Sequence, residues 1–169
     1  WNVEGDIDYD KLIKRFGTQK ITPELLSKIE KFTNESHFML RRGIFFSHRD
    51  LNRLLDDYEK GKQFFLYTGR GPSGHTHIGH LVPWVFAKWL QDKFGAKMYF
   101  QLTDDEKFWT KQDMTLEKTS NFALENALDF IALGFKPENT KIIIDTKNIK
   151  TLYPIAAEVA KRINFSNTK

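Results

Sequence analysis

Two histidines bracket a short segment, His77-Ile78-Gly79-His80, and upstream of them three glycines, Gly69, Gly71 and Gly74, fall within six positions. Imidazoles one helical turn apart can donate to phosphate oxygens while a flat base lies on the glycine between them. The upstream glycines let a ligand approach the backbone closely. Further along, Asp104-Asp105-Glu106 offers adjacent carboxylates, and Gln101 is a polar side chain in an otherwise apolar run. A hard cation needs oxygens converging from separate positions, so a carboxylate holding a ligand's ammonium is favoured over a metal site here. A buried glutamine must find partners. Gln101 is either tied to backbone or reading a ligand, and its chemistry alone leaves both open.

Other chemistries fit less well. The loop lacks the Gly-Lys-Ser/Thr ending of a P-loop. Gly69-Arg70-Gly71-Pro72-Ser73-Gly74 has the formal G-x-G-x-x-G spacing, but Pro72 interrupts it and no helix pattern starts there. That argues against a nicotinamide or flavin enzyme. No serine nucleophile with a base is identifiable. With no cysteine in the chain, thiolate chemistry, thiolate metal sites and disulfides are excluded.

The elements that must position these residues follow from the apolar pattern. Residues 63–68 form an aromatic run expected to be a strand, and residues 78–94 carry apolar side chains at helical spacing. A helix starting at the histidines presents free N–H groups and a partial positive charge to an anion. A second strand is expected over 97–103, broken by the acidic segment. A helix capped by Thr115 follows over 116–133, with Ala123, Leu124, Ala127, Leu128 and Ile131 as its buried stripe. A third strand is expected over 141–145, and a helix over 149–165 with Pro154 near its start. Two successive βαβ units imply a doubly wound parallel sheet whose ligands bind at the carboxyl ends of the strands. The glycine loop, the histidines and the acidic cluster then share one rim.

Upstream, helices are expected over 9–16, over 23–32 with Thr22 as cap, and over 48–59 with Ser47 as cap. Trp1 to Gly5 reads as a short strand or arm, and residues 37–46 as a linker. His37 and His48 stand alone and read as structural or surface residues. At 169 residues the chain is long enough for a substantial core, and its net charge of +4 (26 basic, 22 acidic residues) is compatible with an anionic partner. No run reaches the length of a membrane span. The chain does not begin with Met, and the expectation is an excerpt of a longer protein.

Tyr67-Thr-Gly-Arg-Gly-Pro-Ser73, His77-Ile-Gly-His80, Phe86-Ala-Lys-Trp-Leu-Gln-Asp92 and Thr103-Asp-Asp-Glu-Lys-Phe-Trp109 together resemble the eukaryotic-type tryptophanyl-tRNA synthetases, a class I family. Asp8-Tyr-Asp-Lys-Leu-Ile13 and Leu40-Arg-Arg-Gly-Ile-Phe-Phe-Ser-His-Arg-Asp50 are similar to the same family. The resemblance implies a Rossmann-like α/β catalytic domain, its first part over 61–169, preceded by an N-terminal extension and helices over 1–60. Trp1 to Val3 resembles the start of an extension that folds over the ATP site. The resemblance further implies that Gly69, Arg70, Gly71, Pro72, Ser73, His77, Gly79 and His80 hold ATP, with His77 and His80 catalytic. Tyr67 and Gln101 would meet the indole N–H of L-tryptophan, and Glu106 its ammonium.

No resident metal is implied, since Mg2+ comes chiefly on the ATP phosphates. tRNA(Trp), a homodimeric assembly and a cytoplasmic location complete what the family implies. The loop between Pro72 and His77 is one residue shorter than in most relatives. The family's KMSKS-type loop and anticodon-binding domain have no counterpart up to Lys169, so the expectation is an incomplete catalytic domain, inactive by itself. The competing readings are another nucleotidyltransferase with an HxGH loop and a non-catalytic interaction module derived from a synthetase.

Overall fold

A computed structural model describes residues 8–164 and 166; the expected strand or arm over Trp1 to Gly5 lies outside them. The chain starts with α1 (Tyr9–Phe16), where the Asp8 carboxylate accepts from the Lys11 amide at 3.1 Å and Gly17 ends the helix at φ 60°. β1 (Gln19–Lys20) leads to α2 (Pro23–Thr33), whose cap is the Thr22 hydroxyl accepting from Leu25 N–H. α3 (Phe38–Arg41) is a four-residue helix inside the stretch expected as linker. β2 (Ser47–His48) pairs antiparallel with β1, and α4 (Leu51–Glu59) follows.

Ser47 is therefore not the cap of α4. Its backbone is committed to the β1 ladder, and His48 Nδ1 accepts from the Leu51 amide at 3.2 Å instead. His37 does the same for α3, its Nδ1 accepting from Met39 N–H at 3.3 Å. Desolvation lowers the pKa of both imidazoles, which keeps an Nδ1 lone pair available for these caps. The reading of both histidines as structural holds.

β3 (Phe65–Arg70), α5 (Ile78–Phe94), β4 (Lys97–Leu102), α6 (Asp104–Thr110), α7 (Leu116–Ala132), β5 (Thr140–Ile144) and α8 (Asp145–Ala160) complete the order. The first strand begins two residues later than its aromatic run and takes in Gly69 and Arg70, because each of its residues from Phe65 to Arg70 has a partner on β4. The acidic segment does not merely interrupt; it is the first turn of α6. α8 begins at Asp145, which leaves Pro154 well inside the helix rather than near its start.

Two compact units result. One holds the chain up to Phe64 together with Asp92–Phe94, and the other holds Phe65–Gln91 and the chain from Gly95 onward. In the first, Leu25, Ile29, Met39, Leu40 and Leu55 are buried. Tyr58 packs edge-on against Phe32, Phe64 and Phe94, with centroids 5.4, 5.6 and 5.0 Å apart. Such ring pairs add about 0.5–1.5 kcal/mol each beyond their buried area.

The second unit is a parallel sheet in the order β3-β4-β5. That order follows the chain, so both right-handed crossovers return on the same side. On that side Trp84 of α5 and Ala123, Ala127 and Phe130 of α7 bury Met98, Phe100 and Leu102. Phe130 stacks on Phe100 at 3.8 Å and on Phe135 at 4.0 Å. The α7 stripe is thus rotated from the expected one. Ala123 and Ala127 face the core, but Leu124, Leu128 and Ile131 are exposed. Two apolar stripes run side by side on this helix. The sheet takes the one whose small alanines let Phe130 reach it.

Candidate functional site

The helices leave the other face of the second unit's sheet open. Strand alternation sends Phe65, Tyr67 and Gly69 of β3 and Tyr99 and Gln101 of β4 to that face. Register sets Tyr67 beside Tyr99 and Gly69 beside Gln101. A Cβ at position 69 would stand 2.4 Å from the Gln101 carbonyl oxygen, so a glycine is needed where the two strands run this close. Tyr67 is 62% exposed, so its ring is not packed into the core.

At the carboxyl end of β3 the chain turns back on itself. Arg70 Nη2 donates to the Gly74 and His75 carbonyls, each at 2.9 Å, and Asn126 Nδ2 of α7 donates to the same Gly74 oxygen at 3.2 Å. Pro72 is buried beneath this loop. Arg70 thus clamps the loop that the sequence reading assigned to a nucleotide. Burial pushes its pKa down while the nearby Asp129 opposes the shift. Gly71 lies under Lys107: an added Cβ would meet Lys107 Cε at 1.9 Å.

His77 caps α5, and the two histidines form a reciprocal box. His77 Nδ1 accepts from Gly79 N–H and His80 Nδ1 accepts from His77 N–H, both at 3.2 Å, with ring centroids 3.7 Å apart. A neutral imidazole that accepts at Nδ1 must carry its proton on Nε2. Both rings therefore present Nε2–H donors at the start of a 17-residue helix, where the backbone dipole also favours an anion. Desolvation first, then the Arg70 charge, lowers the pKa of His80 and favours this neutral form. Gly79 has its own role. A side chain there would press on the His77 ring, 3.1 Å from Cε1.

The three carboxylates of α6 part ways. Asp104 is buried and accepts from the Thr146 amide at 3.1 Å and its hydroxyl at 2.6 Å, tying α6 to the first turn of α8. Asp105 Oδ1 accepts from the Glu106 amide at 2.8 Å. Glu106 is exposed, bonded to Thr103 Oγ1 and to Lys107 Nζ, each at 2.8 Å, and the Lys107 contact leads in lowering its pKa. It stays ionised and faces an ammonium already. Among the described residues no group of three His, Asp or Glu side chains converges as a metal site would require.

Of the two forms expected of Gln101, the tie to backbone is not the one its amide makes. Its amide is tied to side chains, not backbone: Tyr67 Oη donates to Oε1, and Nε2 donates to Asp145 Oδ1 at 2.7 Å. Asp145 is 7% exposed and follows β5 on the same face of the sheet. Burial raises its pKa, with the neighbouring Asp104 and Asp105 adding to the shift against the opposing Gln101 bond.

The family model "tRNA synthetases class I (W and Y)" matches residues 59–163. The chain belongs to this family. Along its whole length the chain is 53% identical to a tryptophan–tRNA ligase of Saccharolobus solfataricus and 55% identical to that of Sulfurisphaera tokodaii, covering 44% and 45% of them. Among solved structures, the tryptophanyl-tRNA synthetase of Plasmodium falciparum superposes with a TM-score of 0.90 at 45% identity, over 95% of this chain and 45% of that one. One from Encephalitozoon cuniculi, bound to tryptophan, gives 0.89 at 40% identity over 98% of this chain and 46% of that chain. The chain spans less than half the length of the curated relatives it matches. These likenesses accord with the α/β class and parallel sheet expected from sequence.

Three residues of this rim escaped the sequence reading. Asp145 stood at the end of an apolar strand, and only the register of β5 with β4 reveals that it reaches Gln101. Lys107 was one cation among many, with no mark of its place over Gly71. Asn126 lay in a helix read for its apolar stripe. A polar residue at a buried position of that stripe was the one signal available.

Proposed function

We propose that the protein carrying this chain is a tryptophan–tRNA ligase, which activates L-tryptophan with ATP to tryptophanyl-adenylate and transfers it to tRNA(Trp). The observation that carries this reading is the Tyr67–Gln101 pair on the open sheet face, a rim away from two imidazole donors at a helix start. An indole nitrogen is a donor only. Tyr67 spends its single proton on Gln101, so what the pair offers a ligand is oxygen lone pairs. A pocket whose polar groups stay unpaired with the wrong ligand rejects it by up to roughly 10⁴-fold or more. Glu106, ionised and next to the pair's strand end, suits the ammonium of the amino acid.

In the first step a tryptophan carboxylate oxygen attacks the α-phosphorus of ATP and pyrophosphate leaves. In the second a ribose hydroxyl of the tRNA displaces AMP. Neither step needs a nucleophile from the protein; positioning and charge stabilisation suffice. His77 and His80 donate from Nε2 to phosphate oxygens. The helix start at Gly79 adds its dipole, and Gly69, Gly71, Pro72 and Ser73 shape the nucleotide side. Arg70 acts through the loop it clamps. Mg2+ enters on the ATP phosphates as part of the substrate. A homodimer in the cytoplasm is the setting the family resemblance suggests, and among the described residues no helix is long and apolar enough to cross a membrane.

The test is ATP–pyrophosphate exchange by the full-length protein, screened across the amino acids. Exchange that depends on tryptophan is expected. Exchange with another amino acid alone, or with none, overturns the reading.

A further inference from the structure

We propose that Asp145 is a positioning residue for tryptophan selection: it fixes the Gln101 amide so that the open end of the Tyr67–Gln101 pair accepts a hydrogen bond. The inference rests on the function proposed above and extends it to a residue that acts through Gln101.

The argument is one of proton bookkeeping along three side chains. An amide has one acceptor end and one donor end, which differ little in shape. Nothing in Tyr67 chooses between them, because a phenol both donates and accepts. A carboxyl oxygen that carries no proton only accepts, and it is Oδ1 of Asp145, accepting, that faces the amide. Asp145 therefore compels Gln101 to turn Nε2 toward it, at 2.7 Å, and Oε1 toward Tyr67. The Tyr67 proton then goes to Oε1. What remains at the exposed end is one lone pair on the phenol oxygen and one on Oε1, two acceptors for a single N–H. With the amide reversed, Nε2 would donate to Tyr67 and the phenol proton would swing outward. The same pocket would then present a donor and repel an indole N–H.

The surroundings support a directing role. Asp145 is 7% exposed and sits in the first turn of α8, where a helix dipole favours a carboxylate. Its neighbours Asp104 and Asp105 are carboxylates too, and Asp105 shares a side-chain hydrogen bond with it. Gathering these groups there costs stability, and Oδ1 of Asp145 goes to the Gln101 amide. Asp104, by contrast, is used structurally by Thr146.

The experiment compares kcat/KM for tryptophan with that for its analogue in which sulfur replaces the ring N–H, in the full-length protein and in Asp145→Asn. Asparagine keeps the shape, removes a desolvated charge and can satisfy either amide orientation. The preference for tryptophan should fall about tenfold, the effect of losing one oriented hydrogen bond, with KM for ATP unchanged. Asp145→Ser, which also both donates and accepts, provides the same comparison if the asparagine variant does not fold. An unchanged preference overturns the proposal. A loss accompanied by an equal rise in KM for ATP also overturns it, since that marks a collapsed site. If the unaltered protein shows no tryptophan-dependent exchange, the function reading itself has failed and this inference goes with it.

Discussion

His77 and His80 meet within one turn of α5, each accepting a backbone N–H from inside the same four residues. Tyr67, Gln101 and Asp145 come from β3, β4 and the start of α8, separated by 34 and 44 residues, and each depends on the next for its orientation. The histidine end is built by local hydrogen bonding. The other end exists only because parallel strands hold a register. The difference teaches where each is vulnerable: the helix start to loss of a side chain, the sheet face to anything that shifts a strand or turns an amide.

The largest effect is expected at the helix start. His80→Ala removes an Nε2–H donor and half of the capping box, and should slow adenylate formation in the full-length protein by roughly 10²-fold or more, as for loss of a transition-state donor. Single-turnover kinetics would show it; an unchanged rate would mean that the imidazole serves only the cap. Next comes the sheet face. Gln101→Ala should cost about 1–3 kcal/mol in tryptophan kcat/KM, roughly 5- to 150-fold, and leave KM for ATP alone. Equal changes for both substrates would dissolve the division into two ends.

Two glycines sharpen the comparison on stability. A methyl at Gly69 meets the Gln101 carbonyl at 2.4 Å, backbone that cannot yield without opening the strand pair, whereas at Gly71 it meets the flexible end of Lys107. Overpacking at Gly69→Ala should lower the unfolding free energy by about 1–3 kcal/mol. Gly71→Ala should cost clearly less, since the lysine can swing away. Urea unfolding of the two variants checks the order, and a larger loss at Gly71 would reverse the argument.

The smallest expected effect is one of pH, and its sign differs between the ends. His80 has a pKa below its ordinary 6.5, so the unfolded chain binds that proton first and stability falls as the pH drops through this window. Asp145 has a pKa above its ordinary 3.8, so the folded chain binds first. Its contribution is fully present below 3.8 and is lost as the pH rises through the raised value. Unfolding midpoints across the acid range should show His80→Gln flattening a loss and Asp145→Asn flattening a gain. The same slope change in both variants would contradict the assigned causes.

Much of this was legible because the signals are local. Gly17, Thr22 and Thr115 bound their helices as their side chains or backbone freedom require. α5 runs over its expected residues because its apolar spacing and capping residue lie in one contiguous stretch. The parallel βαβ order follows from crossover length. Periodicity cannot say which of two adjacent apolar stripes a helix buries, and α7 turned its alanines inward because Phe130 had to stack on Phe100. Ser47 was drawn from its cap into a ladder with β1, a partner distant in sequence.

The sequence by itself determined the helix start and its donors, since a histidine that caps its own turn needs only the next three residues to fix its tautomer. Only the tertiary structure decided the fate of Asp104 and Asp145. Glu106 kept to its sequence neighbours Thr103 and Lys107, but Asp104 went to Thr146 and Asp145 to Gln101. An acidic side chain takes whichever donor the packing of α6, β4 and α8 brings within about 3 Å, and nothing in the order of residues records that distance.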